Sequence, residues 1–432
     1  MSVPPAGLRG RCCMMHRAFV HTLLLAGLAN SLCARQQEAE PAGLGPPPGV
    51  IVASSTDHQD SLVFSPSIAI RPDGSYVVSY DTHNDTVVKV SRDRGSTWTT
   101  LAQLPHRKWS TLFVHRECLY LIGVNSSDGG MIISRSVDGG GTWTDPRDGR
   151  SGRLLDGRFH CGPTPVVVHA GRVWRSFEEF APDKPLRRFG AFVMSAPEDS
   201  DLLDSTNWVR SSQLAFRREW LNTRSEEWLE GNVVVTPAGG LVNILRVESH
   251  PATGAEYALP GGAEAIPRFE VAAMMDVSLD GRRVTFDPAD GFIHFIGSES
   301  KFTIRYDPVS KMYWTLGNKI TKSDPGLDWT HSPHHQRNVL ALVSSADLKE
   351  WTERCRVLRY AAGTAVVKQG SRVGFQYVDW QFDGDDLISA CRTSWAGANY
   401  HDSNFITFHR IREFRTLAPM DSPPDLSTKA AP

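Results

Sequence analysis

The chain has 432 residues, enough for two or three ordinary domains or one large closed architecture, and too many for a small disulfide-stapled module. Its 46 Lys and Arg against 48 Asp and Glu leave a formal net charge of -2, so no global basic field exists to hold nucleic acid or an anionic membrane surface. With 36 Gly, 27 Pro and 41% hydrophobic residues, the composition fits a soluble globular fold rich in turns and poor in long helices.

Residues 1–34 read as a secretory signal peptide: Arg9, Arg11 and Arg17 precede an apolar stretch at 18–28, and small residues follow through Ala34. The apolar stretch is shorter than a membrane span requires, so the expectation is a secreted protein with no membrane attachment after cleavage. Residues 35–49, rich in Pro, Ala, Gly and Glu, read as a flexible lead-in, and residues 416–432 as a flexible tail. The cysteines that remain after cleavage, Cys118, Cys161, Cys355 and Cys391, are even in number and consistent with up to two disulfides.

Residues 50–415 repeat one pattern, short apolar runs separated by turns and closed by a polar turn that ends in Trp. Two turns share the form Ser-x-Asp-x-Gly-x-x-Trp, at Ser91-Arg92-Asp93-Arg94-Gly95-Ser96-Thr97-Trp98 and at Ser136-Val137-Asp138-Gly139-Gly140-Gly141-Thr142-Trp143. Ser and Asp can bond backbone N–H groups of the turn, Gly accepts positive φ, and Trp covers the neighbouring core. Looser copies lie at 204–208, 278–286 and 345–351. Six repeat starts follow, at 67–70, 111–114, 165–168, 232–235, 302–305 and 377–380. Units this small bury both faces only by radial stacking, so the predicted fold is all-β, a six-bladed β-propeller of four-stranded antiparallel blades. The ring is expected to close by pairing Val50-Ile51-Val52 with the last sheet. The long stretch at 248–300 leaves room for a seventh blade.

The octapeptide turn resembles the Asp box, or BNR repeat, of sialidase-superfamily propellers. The segments Phe159-His160-Cys161-Gly162-Pro163, Trp228-Leu229-Glu230-Gly231-Asn232 and Phe375-Gln376-Tyr377-Val378-Asp379-Trp380 resemble a subgroup of secreted sialidase-like propellers that includes rhamnosyl-glucuronate lyases and glycosidases. A sialidase proper carries an arginine in a Tyr/Phe-Arg-Ile-Pro motif near its first blade. The comparable segment here is Phe64-Ser65-Pro66-Ser67, without arginine, which argues against sialic-acid hydrolysis.

If the Ser-x-Asp turns join the third and fourth strands of each blade, first-strand starts and second-strand ends converge on the opposite face, around a central concave site. Those positions bring together Trp109, His160, Glu230, Lys301, Gln376 and Tyr377 with Tyr80, Asp81, His83, Arg246, Arg337, Asn338, Arg392, His401, Asp402 and Asn404. Arginine forks match a uronate carboxylate, aromatic faces stack on pyranose rings, and His or Tyr can move a proton. The candidate catalytic residues are His160, Tyr377 and His401. The candidate substrate-binding residues are Trp109, Glu230, Arg246, Lys301, Arg337, Gln376, Asp379, Arg392 and Asp402, with Glu230 and Asp379 the first carboxylate pair to test for hydrolysis.

The leading expectation is therefore cleavage of an acidic, uronate-containing glycan by elimination or hydrolysis. A non-catalytic glycan-binding propeller and an exo-sialidase are the alternatives. No metal or cofactor is called for: His331-Ser332-Pro333-His334-His335 lacks a compact carboxylate partner, and Gly139-Gly140-Gly141 precedes no helix that would cradle phosphate.

Overall fold

The computed structural model describes residues 44–55, 62–83, 85–180, 189–221, 227–248, 270–320, 336–360 and 372–426. Residues 1–43, which include the stretch read as a signal peptide, lie outside the described residues, as do the histidine stretch at 331–335 and residues 427–432.

Six antiparallel sheets succeed one another along the chain, each a blade with four strand positions, some of which are split into two segments in blades 3 and 4. The first strand of blade 1 is Phe64–Ile70, of blade 2 Lys108–His115, of blade 4 Trp228–Val235, of blade 5 Ile304–Asp307 and of blade 6 Gly374–Asp383. In blade 3 this strand is split into Phe159–His160 and Val167–His169, because Pro163 and Pro165 between them have no N–H to give the ladder. The N-terminal strand Val50–Ser54 pairs with Phe405–Ile411 and supplies the outer strand of blade 6, so the two ends of the chain close the ring. The stretch suspected of holding a seventh blade instead carries the outer strands of blade 4, Val271–Val277, Val284–Thr285 and Phe292–His294.

Each pair of neighbouring blades encloses its own apolar cluster. Blades 1 and 2 join through Val77, Val88, Leu112 and Leu121, and blades 3 and 4 through Trp174, Val193, Trp228 and Leu245. Blades 6 and 1 join through Ile388, Phe408, Ile68 and Val78. A fully buried Val, Leu, Ile or Phe contributes roughly 1.5–3 kcal/mol, which makes each blade dependent on both neighbours.

Around the axis a second device locks the ring. A polar side chain at the equivalent place in each blade, in or beside the first strand, bonds the next blade: Ser67 Oγ accepts from Leu112 N at 3.0 Å, Thr111 Oγ1 donates to Thr164 O at 2.8 Å, and Thr164 Oγ1 donates to Gly231 O at 2.8 Å. Asn232 Oδ1 accepts from Ile304 N at 3.0 Å, Thr303 Oγ1 donates to Val378 O at 3.0 Å, and Asp379 Oδ2 accepts from Ser67 Oγ at 2.7 Å. The circuit satisfies backbone groups that the diverging inner strands would otherwise leave buried and unpaired.

The Ser-x-Asp turns join third to fourth strands. In the first, Ser91 Oγ accepts from Gly95 N at 2.8 Å, Asp93 Oδ1 accepts from Thr97 N at 2.9 Å, and Trp98 Nε1 donates to Gly95 O at 3.2 Å. The second repeats these bonds with Ser136, Asp138, Gly140 and Trp143. At 345–351 Leu348 takes the glycine's place at φ 71°, and Trp351 Nε1 still donates to its carbonyl at 2.9 Å. Cys118, Cys161, Cys355 and Cys391 all carry free thiols, which corrects the expectation of disulfides. The apolar clusters and the axial circuit do the stapling instead.

Candidate functional site

On the face opposite the Ser-x-Asp turns, four first strands begin with the same irregularity. Their pairing slips by one residue between Phe64 and Ser67, Lys108 and Thr111, Leu229 and Asn232, and Gln376 and Asp379. Within each bulge one residue adopts left-handed backbone: Ser65 at φ 48°, Trp109 at 53°, Glu230 at 56° and Tyr377 at 53°. Each lies two residues before its axial locking residue, so the bulges put equivalent positions of different blades around one mouth. Left-handed backbone costs an ordinary residue roughly 1–2 kcal/mol, and bulges of this kind re-aim side chains beside functional sites. The equivalent positions in blades 3 and 5 are Gly162 and Lys301.

The Gly162 position is empty because Glu230 fills it: a Cβ there would lie 3.1 Å from Glu230 Cγ and 3.2 Å from its Oε1. Glu230 Oε2 accepts from Arg246 Nη1 at 3.0 Å, and Arg246 Nη2 donates to Glu248 Oε1 at 2.5 Å. Burial alone would raise the Glu230 carboxyl, but Arg246, His160 and a hydrogen bond with Tyr377 together hold it below the usual carboxylate range. Burial likewise opposes the Arg246 charge, and Glu248 and Glu230 outweigh it. The Tyr377 hydroxyl lies 3.5 Å from Arg246 Nη1. Burial, reinforced by the Glu230 charge, raises this phenol above its ordinary value.

Two more guanidiniums face the same ring. Arg392 lies 4.8 Å and Arg337 5.6 Å from the Tyr377 ring centroid. Arg337 bonds Gln376 Oε1 and also faces Tyr400 at 5.6 Å. Arg392 lies 4.6 Å from the centroid of Phe64, in the segment where the blade-1 arginine was missed, and donates to His401 O at 2.5 Å. Burial pulls the Arg392 pKa down to about 10. The Nε atoms of Arg246 and Arg392 are buried with no hydrogen-bond acceptor among the described residues. Three arginines from blades 4, 5 and 6 thus converge on one phenol, an arrangement suited to a carboxylate ligand.

His160 lies on the blade-3 side, its ring 4.8 Å from that of half-buried Trp109 and its Nδ1 3.1 Å from Glu178 Oε2. His401 Nδ1 is 2.8 Å from Asp402 Oδ1, and burial together with Arg392 and Arg337 pushes its pKa down to about 3. Asp402 is tied to His401 and to Asn399.

Three predicted site residues have other tasks. Asp379 accepts from Ser67 Oγ, Ile68 N, Arg305 Nη2 and Trp380 N, so both oxygens are committed to locking blade 6 onto blades 1 and 5, and it does not pair with Glu230. Lys301 is buried, donating to Thr303 Oγ1 at 2.8 Å and Val378 O at 2.9 Å, so it braces the axis beneath the mouth. Gln376 is buried behind Arg337, which it holds through Oε1 while donating Nε2 to Tyr400 O. Sequence reasoning missed Glu178, Glu248 and Tyr400. The doublet Glu178-Glu179, set between Phe177 and Phe180 in the second strand of blade 3, was the available signal for the first.

No protein-family model and no curated protein sequence matches the chain. Among solved structures, its backbone is similar to the Hadza microbial sialidase Hz136 at a TM-score of 0.54 and 14% identity, over 84% of this chain and 68% of that one. It is also similar to the α-L-arabinofuranosidase Arb93A of Fusarium graminearum, solved with an iminosugar inhibitor, at 0.51 and 10% identity over 84% and 97%. A Dyadobacter fermentans protein of unknown function gives 0.51 and 14% identity over 84% and 97%. The fold is the six-bladed sialidase-like β-propeller.

Proposed function

We propose that the protein is a carbohydrate-active enzyme that hydrolyses a glycan at a sugar bearing a carboxylate, a uronic or ulosonic acid. The observation that carries this reading is the Tyr377 phenol set against the Glu230 carboxylate and faced by three guanidiniums. Two structural neighbours are glycosidases by name, which favours a carbohydrate substrate.

In this reading Arg246, Arg337 and Arg392 hold the sugar carboxylate, and Tyr377 Oη attacks the anomeric carbon. A phenol is a poor nucleophile until its proton leaves, and burial makes that harder here. Glu230, kept ionised by Arg246, takes the proton as the carbon–oxygen bond forms. A tyrosine replaces the usual carboxylate nucleophile in some glycosidases, and a neutral nucleophile approaches an anionic sugar with less repulsion than a carboxylate would. Elimination loses one of its candidate bases, because burial and the neighbouring arginines push His401 down to about 3.

The test incubates the protein with 4-methylumbelliferyl glucuronide, 4-methylumbelliferyl sialoside and a panel of uronate-containing and sialylated glycans. Fluorophore release or new reducing ends without an unsaturated-uronate absorbance is expected, and Tyr377→Phe should lower kcat by roughly 10³-fold or more at nearly unchanged KM. Absorbance from an unsaturated uronate would establish elimination, and glycan retention without turnover would establish a binding module.

A further inference from the structure

Hydrolysis needs a proton at the departing oxygen, and most ionisable groups of the mouth are already committed. Glu230 and Glu248 hold Arg246. Asp81 is buried, accepting from Thr86 Oγ1 and Trp109 N, each at 2.7 Å. Asp379 belongs to the axial circuit, and His401 is packed against Arg392 and Asp402.

His160 is held differently. Its Nδ1 faces Glu178 Oε2, while Glu178 Oε1 accepts at 3.2 Å from the backbone of Gly231, the residue after Glu230. The Glu178 side chain is 1% exposed and the His160 side chain 12%. The imidazole stacks on Phe189 at 4.9 Å and the Trp109 ring lies tilted against it at 4.8 Å, so both rings restrict its orientation. With Nδ1–H directed at Glu178, the other nitrogen, Nε2, has no hydrogen-bond partner among the described residues. A carboxylate behind one nitrogen fixes the ring's orientation and aims the other nitrogen for proton transfer. The location fits as well. The arginines occupy blades 4, 5 and 6, so a sugar anchored there directs its leaving group across the mouth toward blades 1, 2 and 3, where His160 and Trp109 lie.

We propose that His160, oriented by Glu178, is the proton donor to the leaving group, with the Trp109 indole as the wall against which that group rests. The inference rests on reading Tyr377 and Glu230 as the nucleophile pair. As the Tyr377 oxygen bonds to the anomeric carbon, the glycosidic bond breaks with its electron pair on the leaving oxygen, which takes the proton from His160 Nε2. Glu230 holds the phenolic proton. In the second half, water attacks the anomeric carbon and gives a proton to His160 Nε2. The tyrosyl bond breaks, and the phenolate recovers its proton from Glu230. Glu178 is a positioning residue that touches no reacting atom.

The experiment compares two leaving groups on one acidic sugar: 4-methylumbelliferone, which departs unprotonated, and galactose, whose alkoxide does not. His160→Ala and His160→Gln should lower kcat/KM on the galactoside-linked substrate by roughly 10²–10⁴-fold and on the aryl glycoside by less than about 10-fold. Glu178→Gln should show the same selectivity with a smaller loss. Melting curves and circular dichroism of all variants establish folding, and a fold defect in His160→Ala leaves the Gln variants to decide. Equal loss on both substrates, or no loss on either, overturns the assignment. A wild type inert toward both overturns the Tyr377–Glu230 reading and this inference with it, so the two failures are distinct.

Discussion

A methyl group at Gly162 tests the packing of the proposed nucleophile pair more sharply than removal of either member. The added Cβ would lie 3.1 Å from Glu230 Cγ, 3.2 Å from Oε1 and 3.3 Å from Cδ, closer than such atoms settle comfortably. Glu230 has little room to retreat, because its Oε2 holds Arg246 at 3.0 Å and Arg246 is fixed to Glu248. The carboxylate must therefore move by a few tenths of an ångström. A misplacement of about 1 Å can cost on the order of 100-fold in rate, so Gly162→Ala should lower kcat/KM by roughly 10-fold. Stability should barely change: Gly162 is not among the left-handed glycines, and the methyl restricts the unfolded chain by about 0.4–1 kcal/mol, offsetting strain of similar size. The expected Tm shift is about 2 °C or less. Steady-state kinetics on an acidic aryl glycoside, beside a melting curve, measures both. Gly240→Ala is the control, since its Cβ would meet only Thr236 Oγ1, at 3.3 Å, in a turn of the opposite face. Unchanged kcat/KM at wild-type Tm would mean that the Glu230 carboxylate takes no part in the chemistry.

Three further substitutions separate binding, scaffold and titration. Arg337→Met removes one of the three guanidiniums, and loss of a charge-assisted hydrogen bond of about 1.5–3 kcal/mol predicts a KM about 10- to 150-fold higher for the acidic substrate. The carboxyl-reduced substrate should show no such rise, and an equal rise for both would remove carboxylate binding from Arg337. Asp379→Ala opens the junction of blades 5, 6 and 1 and leaves Arg305 without its carboxylate, which should cost roughly 3–5 kcal/mol of stability. Its kcat/KM per folded molecule should survive, and a large activity loss at unchanged Tm would return Asp379 to the site. Asp81 is raised by burial to about 6 from 3.8. The folded protein therefore binds its proton more tightly than the unfolded chain, and this stability is full below about pH 4 and lost as pH rises through about 6. Denaturation of wild type and Asp81→Asn from pH 4 to 7 should show the wild-type advantage shrinking by roughly 3 kcal/mol; a pH-independent difference would contradict it.

The parts of this molecule legible in its sequence are those built from local chemistry. Ser91, Asp93, Gly95 and Trp98 lie within eight residues and bond one another, so their spacing alone announces the turn, and its recurrence announces the repeat. The six first strands follow from the same logic, as does closure by Val50–Ser54. The individual tasks of the site residues depend on long-range pairing. Asp379 and Glu230 are both carboxylates at first-strand starts, yet Asp379 stands at the locking position while Glu230 stands two residues earlier, within the bulge. No glycine or asparagine marks these left-handed residues as such. Tyr377 and Trp109 are bulky side chains in backbone that disfavours them, so propensity points away from the conformation that makes them useful. The same reasoning explains Glu178. Its partners, the His160 ring and the Gly231 amide, lie 18 and 53 residues away, and only the side-by-side placement of blades 3 and 4 turns a strand-end acid into a clamp on both halves of the mouth. A propeller announces its scaffold through short-range repetition and assembles its chemistry from the positions where the repetition is broken.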